Sequence, residues 1–163
     1  MIGYRLKKCV NTETIFMNGD KKKAERRNSS SHLIENMLNE RKQLLALLMR
    51  ASALSPDRLA TEDRELLEEF CQVLVDYIAA GHFGLYERIA GGRERRQSVS
   101  EIAKQIYPEI EKITQQALEF TEKYNPEKKN GKLNNLEKDL SSLGELLTTR
   151  MELEDHLIAR MLA

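Results

Sequence analysis

The 163-residue chain has no tryptophan, three prolines, two cysteines and no net charge. Cys9 and Cys71 are too few for the disulfide framework of a small secreted domain or for a four-cysteine zinc site, so a reducing cytoplasm is the expected compartment. No apolar run approaches the roughly 20 residues that span a bilayer, and lysines occupy the start where a signal peptide carries its apolar stretch, so no membrane association is expected. The 26 basic and 26 acidic side chains cancel, which removes the whole-chain positive footprint of a nucleic-acid binder. Direct nucleic-acid binding is not expected.

What is present is 40% apolar and 32% charged residues, enough for one hydrophobic core without staples. The charge is unevenly spread. Residues 1–31 hold eight basic and three acidic side chains, a net of +5, which leaves −5 on the rest because the total is zero. This leader lacks sustained helical periodicity and reads as a basic, flexible extension, with Met17 as an alternative start inside it. Residues 32–163 are expected to form the folded domain.

From His32 the apolar residues Leu33, Ile34, Met37, Leu38, Leu44, Leu45 and Leu48 recur at helical spacing until Ser55-Pro56-Asp57. Thr61, followed by Glu62, Asp63 and Glu65, reads as the cap of a second helix carrying Leu67, Phe70, Leu74, Tyr77 and Leu85 up to a Gly91-Gly92 turn. Ser98 with Glu101 reads as a capping box opening a third helix. Its stripe, Val99, Ile102, Ile106, Ile110, Ile113, Ala117, Phe120 and Tyr124, passes Pro108 in phase, which predicts one helix kinked or restarted there. After Asn130-Gly131, Leu133, Leu136, Leu140, Leu143, Leu147, Met151 and Ile158 make a fourth. Four helices on short connections predict an all-α, up-down-up-down four-helix bundle.

Catalytic signatures are missing. The di-iron bundle motif needs Glu-x-x-His on two helices, but Ser29, Ala79 and Leu153 stand three residues before His32, His82 and His156. Neither a P-loop nor a nucleophile elbow occurs, so no enzyme, metal or cofactor is expected. His82 on a helix is compatible with phosphorelay, although Phe83-Gly84-Leu85-Tyr86 follows it where phosphotransfer domains usually place a lysine and glycine.

Two departures from simple patterning point elsewhere. On a helical wheel Asp76, Ala79 and Phe83, flanked by Gln72 and Tyr86, lie opposite the Phe70/Leu74/Tyr77 face. An outward aromatic beside a carboxylate has the composition of a protein-binding hot spot, while a lone exposed phenylalanine is also common on monomers. Arg41, Arg150 and Glu154 sit on core-facing positions, where unpaired charges are strongly unfavourable. They are expected to meet in an inner polar layer that fixes helix register, with a ligand cavity as the lesser alternative.

The run from Phe70 to Ile89, containing Leu74-Val75-Asp76-Tyr77 and Gly81-His82-Phe83-Gly84, resembles the signature helix of the Rsd/AlgQ family of bacterial sigma regulators. Leu38 to Leu45, Ala103 to Pro108 with Thr114-Gln115-Gln116, and Leu143-Gly144-Glu145 with Arg150 to Asp155 extend the resemblance to residues 24–163. It implies an anti-sigma factor that binds the C-terminal, −35-reading domain of the housekeeping sigma factor. Sequestration from core RNA polymerase and promoter DNA then favours alternative sigma factors in stationary phase. The family's contact residues correspond to Asp76, Ala79 and Phe83, with Gln72, His82 and Tyr86 alongside, and the sugar-phosphotransferase carrier HPr is a further family partner. Ala79 replaces a frequent serine, and Met37 stands where a relative has tryptophan. A phosphorelay or ligand-sensing bundle using His82 or the inner layer is the rival reading.

Overall fold

The computed structural model describes residues 12–125 and 133–163, with side chains from Lys21 onward apart from residues 22, 23 and 26. Helix α1 spans Thr12–Ser52, α2 Thr61–Gly81, α3 Glu87–Ala90, α4 Gln97–Lys123 and α5 Leu136–Leu162. A π-turn over His82–Tyr86 joins α2 to α3 without a break, so four rods result. Among the described residues there is no strand. The fold is an all-α bundle in which α1 packs chiefly on α2 and α4 on α5, with α1 against α5 and α2 against α4 closing the ring.

Helix α1 begins well before the apolar stripe that starts near His32. Apolar periodicity reports burial, whereas helix formation also follows propensity, and Lys21 to Arg27 is rich in Lys, Ala, Glu and Arg. Of the described side chains there, Lys21, Ala24, Glu25, Arg27, Asn28 and Ser29 are exposed, but Ser30 is buried. Met1 to Asn11 and the Asn130-Gly131 turn lie outside the described residues.

The core is made of the stripes on each rod. Met37, Leu44, Phe70, Leu74, Tyr77, Leu85, Ile113 and Leu147 are fully enclosed, each apolar side chain contributing about 1.5–3 kcal/mol. Phe70 meets Phe120 edge-on with centroids 6.0 Å apart, tying α2 to α4. Leu45, expected among the core positions of α1, is 41% exposed, because Leu44 and Leu47, three residues apart on one face, take the inward places. Met37 is completely buried without a tryptophan.

The helix ends differ from the sequence expectation in two places. At α2 the cap is Ala60, not Thr61, and the Ala60 N–H donates to Asp63 Oδ2 at 2.9 Å. At α4 the expected Ser98/Glu101 box is absent: the helix starts at Gln97, whose side-chain amide donates to Glu101 Oε1 at 2.8 Å. The preceding turn is instead set by Glu94, which accepts from the Arg96 backbone and guanidinium. Gly92, with φ of 69°, closes the end of α3, where Arg93 N–H reaches Arg88 O at 3.1 Å and Gly92 N–H reaches Ile89 O at 3.2 Å. Pro108 sits inside an α4 that continues past it to Lys123.

Candidate protein-binding face and inner polar layer

Helix α2 carries Glu62, Asp63, Glu65, Glu68, Glu69 and Asp76 against Arg64 alone, a strongly acidic rod. On it Gln72 and Asp76 are exposed, and the Gln72 amide donates to Asp76 Oδ1 at 3.1 Å, steadying the carboxylate one turn away. Ala79 is half-buried and Val75 is 37% exposed. Phe83 is 68% exposed, with the exposed His82 ring set edge-on to it at a centroid distance of 5.0 Å.

Both rings lie in the π-turn, in which the Glu87 N–H bonds to His82 O five residues back. The extra residue in such a turn sets the following residues back by about 100°. In a regular helix Tyr86 would lie about 80° from Asp76, on the outward stripe where sequence patterning put it. The phase lag turns it inward, so Tyr86 is 2% exposed and does not belong to the contact surface expected for it. Gly84 within the turn faces Leu33 of α1, where a Cβ would stand 3.7 Å from Leu33 Cδ2, so α1 packs directly beneath Phe83's turn.

Behind that turn is the polar layer. Glu154, with no exposed surface, accepts from Arg150 Nε at 2.8 Å, from Arg41 Nη2 at 3.1 Å, from the Tyr86 hydroxyl at 3.4 Å and closely from the Tyr77 hydroxyl. Arg150, 1% exposed, also donates to Thr114 Oγ1 at 2.7 Å and stacks its guanidinium 5.5 Å from the Tyr77 ring centre. Arg41 donates on to Asp155 Oδ1 at 2.5 Å, while its Nε is buried without a hydrogen-bond partner. The structure therefore brings Arg41, Arg150 and Glu154 together. Burial, reinforced by the Glu154 charge, pushes the Tyr77 and Tyr86 hydroxyls well above the ordinary phenol range. Burial opposes the Arg41 cation, but the Asp155 bond and nearby negative charge more than offset it, raising its pKa.

Gly81 makes room for this network. A Cβ there would lie 3.3 Å from Arg150 Nη2 and 3.4 Å from Tyr86 Cε2. Sequence reading missed the two tyrosines, Thr114 and Asp155. The available signal was that a buried hydroxyl needs an acceptor, and both tyrosines precede or follow Gly81 by a helical turn. Beside the layer, a recess of about 590 Å³ runs between α2 and α4, with His82, Tyr107 and Lys112 on its walls. Among the described residues no group of three or more His, Cys, Asp or Glu side chains is placed to hold a metal, and no helix is long and apolar enough to cross a membrane.

A family model described as "Regulator of RNA polymerase sigma(70) subunit, Rsd/AlgQ" matches residues 16–162. The chain belongs to the Rsd/AlgQ family. Proteins named Regulator of sigma D are similar over 142 residues, 85% of this chain and 89% of theirs: 37% identical in Shigella boydii serotype 4 (strain Sb227), and 36% in Shigella dysenteriae serotype 1 (strain Sd197) and Escherichia coli (strain K12 / DH10B). The Rsd/AlgQ match includes all of α2 through α5 and the greater part of α1, so both the exposed stripe and the polar layer lie inside it.

Proposed function

We propose that this Rsd/AlgQ chain is an anti-sigma factor that works by occlusion. It binds the C-terminal, −35-reading domain of the housekeeping sigma factor in the cytoplasm and keeps that domain from core RNA polymerase and promoter DNA. The observation that carries the reading is Phe83, two-thirds exposed, about two turns from Asp76 on an acidic rod. A promoter-reading helix-turn-helix is basic because it neutralises phosphates, so its complement is an acidic surface with an apolar anchor. Asp76, oriented by Gln72, supplies charge; Phe83, held by His82, supplies the buried contact; Ala79 leaves room between them. No covalent step is needed.

Binding is measured with a labelled sigma C-terminal fragment. Phe83→Ala is expected to weaken it by at least about 2 kcal/mol, roughly 30-fold, through faster dissociation. Asp76→Ala slows association and reduces its salt sensitivity. Both positions are exposed, so helix content and melting temperature stay near wild type. Unchanged affinity in the folded double variant rejects the assignment. HPr, the family's other partner, is measured in the same format, where competition with sigma would mark a shared face.

A further inference from the structure

A second feature uses none of the residues of the exposed stripe or the polar layer. Arg27 on α1, Arg88 on α3, and Arg93, Arg95 and Arg96 in the turn before α4 converge on a recess of about 890 Å³ floored by Met161 and Leu162 of α5. Glu94 is the one acidic side chain on its walls. That carboxylate is already engaged: it binds Arg96 through Nε at 2.9 Å and Nη2 at 3.1 Å, and Arg96 Nη1 in turn donates to Met161 O at 2.7 Å. Arg96 is thus the wall's anchor. Arg88 donates to Ser29 Oγ at 3.1 Å, yet its Nε is buried with no hydrogen-bond partner.

The side chains of Arg27, Arg93 and Arg95 form no ion pair among the described residues. Five cationic side chains therefore face one carboxylate, Glu94, which is already paired. Like charges gathered in a concavity repel one another and concentrate a positive field, an arrangement that a multiply charged anion relieves. Planar guanidinium forks match phosphate oxygens two at a time. The volume is that of a small-molecule site.

We propose that the recess between α1, α3, the turn before α4 and the end of α5 is a binding site for a small diphosphate-bearing anion, held by Arg27, Arg88, Arg93 and Arg95. Its walls come from separate parts of the chain, so only the folded bundle presents it. Arg96 and Glu94 position the turn and stay paired with each other.

The test is titration calorimetry of the full chain with sodium pyrophosphate, with sodium sulfate in parallel at matched ionic strength. Saturable one-to-one binding is expected, at least about tenfold tighter than sulfate, because two linked phosphate groups engage more forks than one. Arg93→Gln with Arg95→Gln, both exposed and unpaired, is expected to weaken it at least about tenfold while helix content is retained. Arg27→Gln, on a different element, provides a second variant with the same direction of change. Absence of saturation, equal affinity for sulfate, or unchanged pyrophosphate binding in both folded variants overturns the proposal. So does retention of a single-stranded oligonucleotide that exceeds pyrophosphate and grows with oligonucleotide length.

Discussion

Replacing Glu154 by glutamine changes one charge while keeping the shape of the side chain, and its consequence follows from the contacts. The carboxylate accepts hydrogen bonds from Arg41, Arg150, Tyr77 and Tyr86 and has no exposed surface. An amide keeps one acceptor oxygen and turns two donor hydrogens toward groups that are themselves donors. Whichever side the remaining oxygen takes, the other arginine loses residue 154 as an acceptor: Arg150, 1% exposed, is left with Thr114, or Arg41 is left with Asp155. Removing one member of a buried ion pair costs about 3–5 kcal/mol because the other charge is left uncompensated. Out of a total stability of about 5–15 kcal/mol this is a large fraction. At about 2–4 °C per kcal/mol for a chain of this size, the melting temperature falls by roughly 6–20 °C. Urea unfolding followed by helical circular dichroism should show a lower midpoint with an unchanged slope. Arg150→Met combined with Glu154→Met should cost less than the sum of the single changes, by on the order of 1–3 kcal/mol, since the double variant removes both charges. A loss below about 1 kcal/mol in Glu154→Gln, or strict additivity in the cycle, refutes the view that the layer is one coupled unit.

Three more outcomes follow. Tyr77 and Tyr86 hold their protons in the fold beyond the point where an unfolded tyrosine ionises, so their contribution is complete below about pH 10 and is lost as pH rises from there toward their folded pKa values, each adding up to about 1.4 kcal/mol per pH unit of slope. Burial and a hydrogen bond to Asp139 Oδ2 hold the Tyr124 proton in the same way, so in an absorbance titration of tyrosinate three of the five tyrosines should appear only as helix content collapses; reversible titration of all five near pH 10 in a folded protein contradicts this. Cys71, 8% exposed and pushed up to about 12 by burial and then by Glu68, should react with a disulfide reagent near pH 8 at least about 100-fold more slowly than in urea, measured in a Cys9→Ser background. Gly92→Ala places a side chain at φ 69° with nothing within 4 Å of it, so it should cost about 1 kcal/mol through backbone strain alone, and a stabilised variant in chemical denaturation would count against that account.

Much of the bundle is legible because burial leaves a period in the sequence. The stripes from Val99 to Tyr124 and from Leu136 to Ile158 are inward in the fold at nearly every position, and the Rsd/AlgQ resemblance along α2 agrees with the family match. The failures have identifiable causes. Lys21 to Arg27 leave no apolar period, so helix α1 extends into a segment that patterning reads as a flexible extension. The Ser98/Glu101 spacing fits a capping box, but Glu94 and Arg96 fix the turn first and move the helix start forward. For the candidate site, Asp76, Gln72 and Phe83 are exposed as a wheel at constant pitch places them, and Tyr86 is not. A wheel cannot register one inserted residue, and the deviation starts inside the His82–Tyr86 turn.

That inserted residue connects the two halves of the chemistry. At constant pitch, the phenol of Tyr86 would join Phe83 outside, and Glu154 would lose a donor in the interior. The π-turn widens one ring of backbone hydrogen bonding and in exchange divides the two aromatics, sending Phe83 to solvent and Tyr86 to the carboxylate. Gly81 at its start leaves space for Arg150, and Gly84 within it lets Leu33 approach, so the turn is fitted to α5 on one side and α1 on the other. A wide turn held in place from both sides presents its outward ring in a fixed direction. An anchor that is already oriented loses little freedom on binding, which is the condition under which a single exposed aromatic contributes most to affinity.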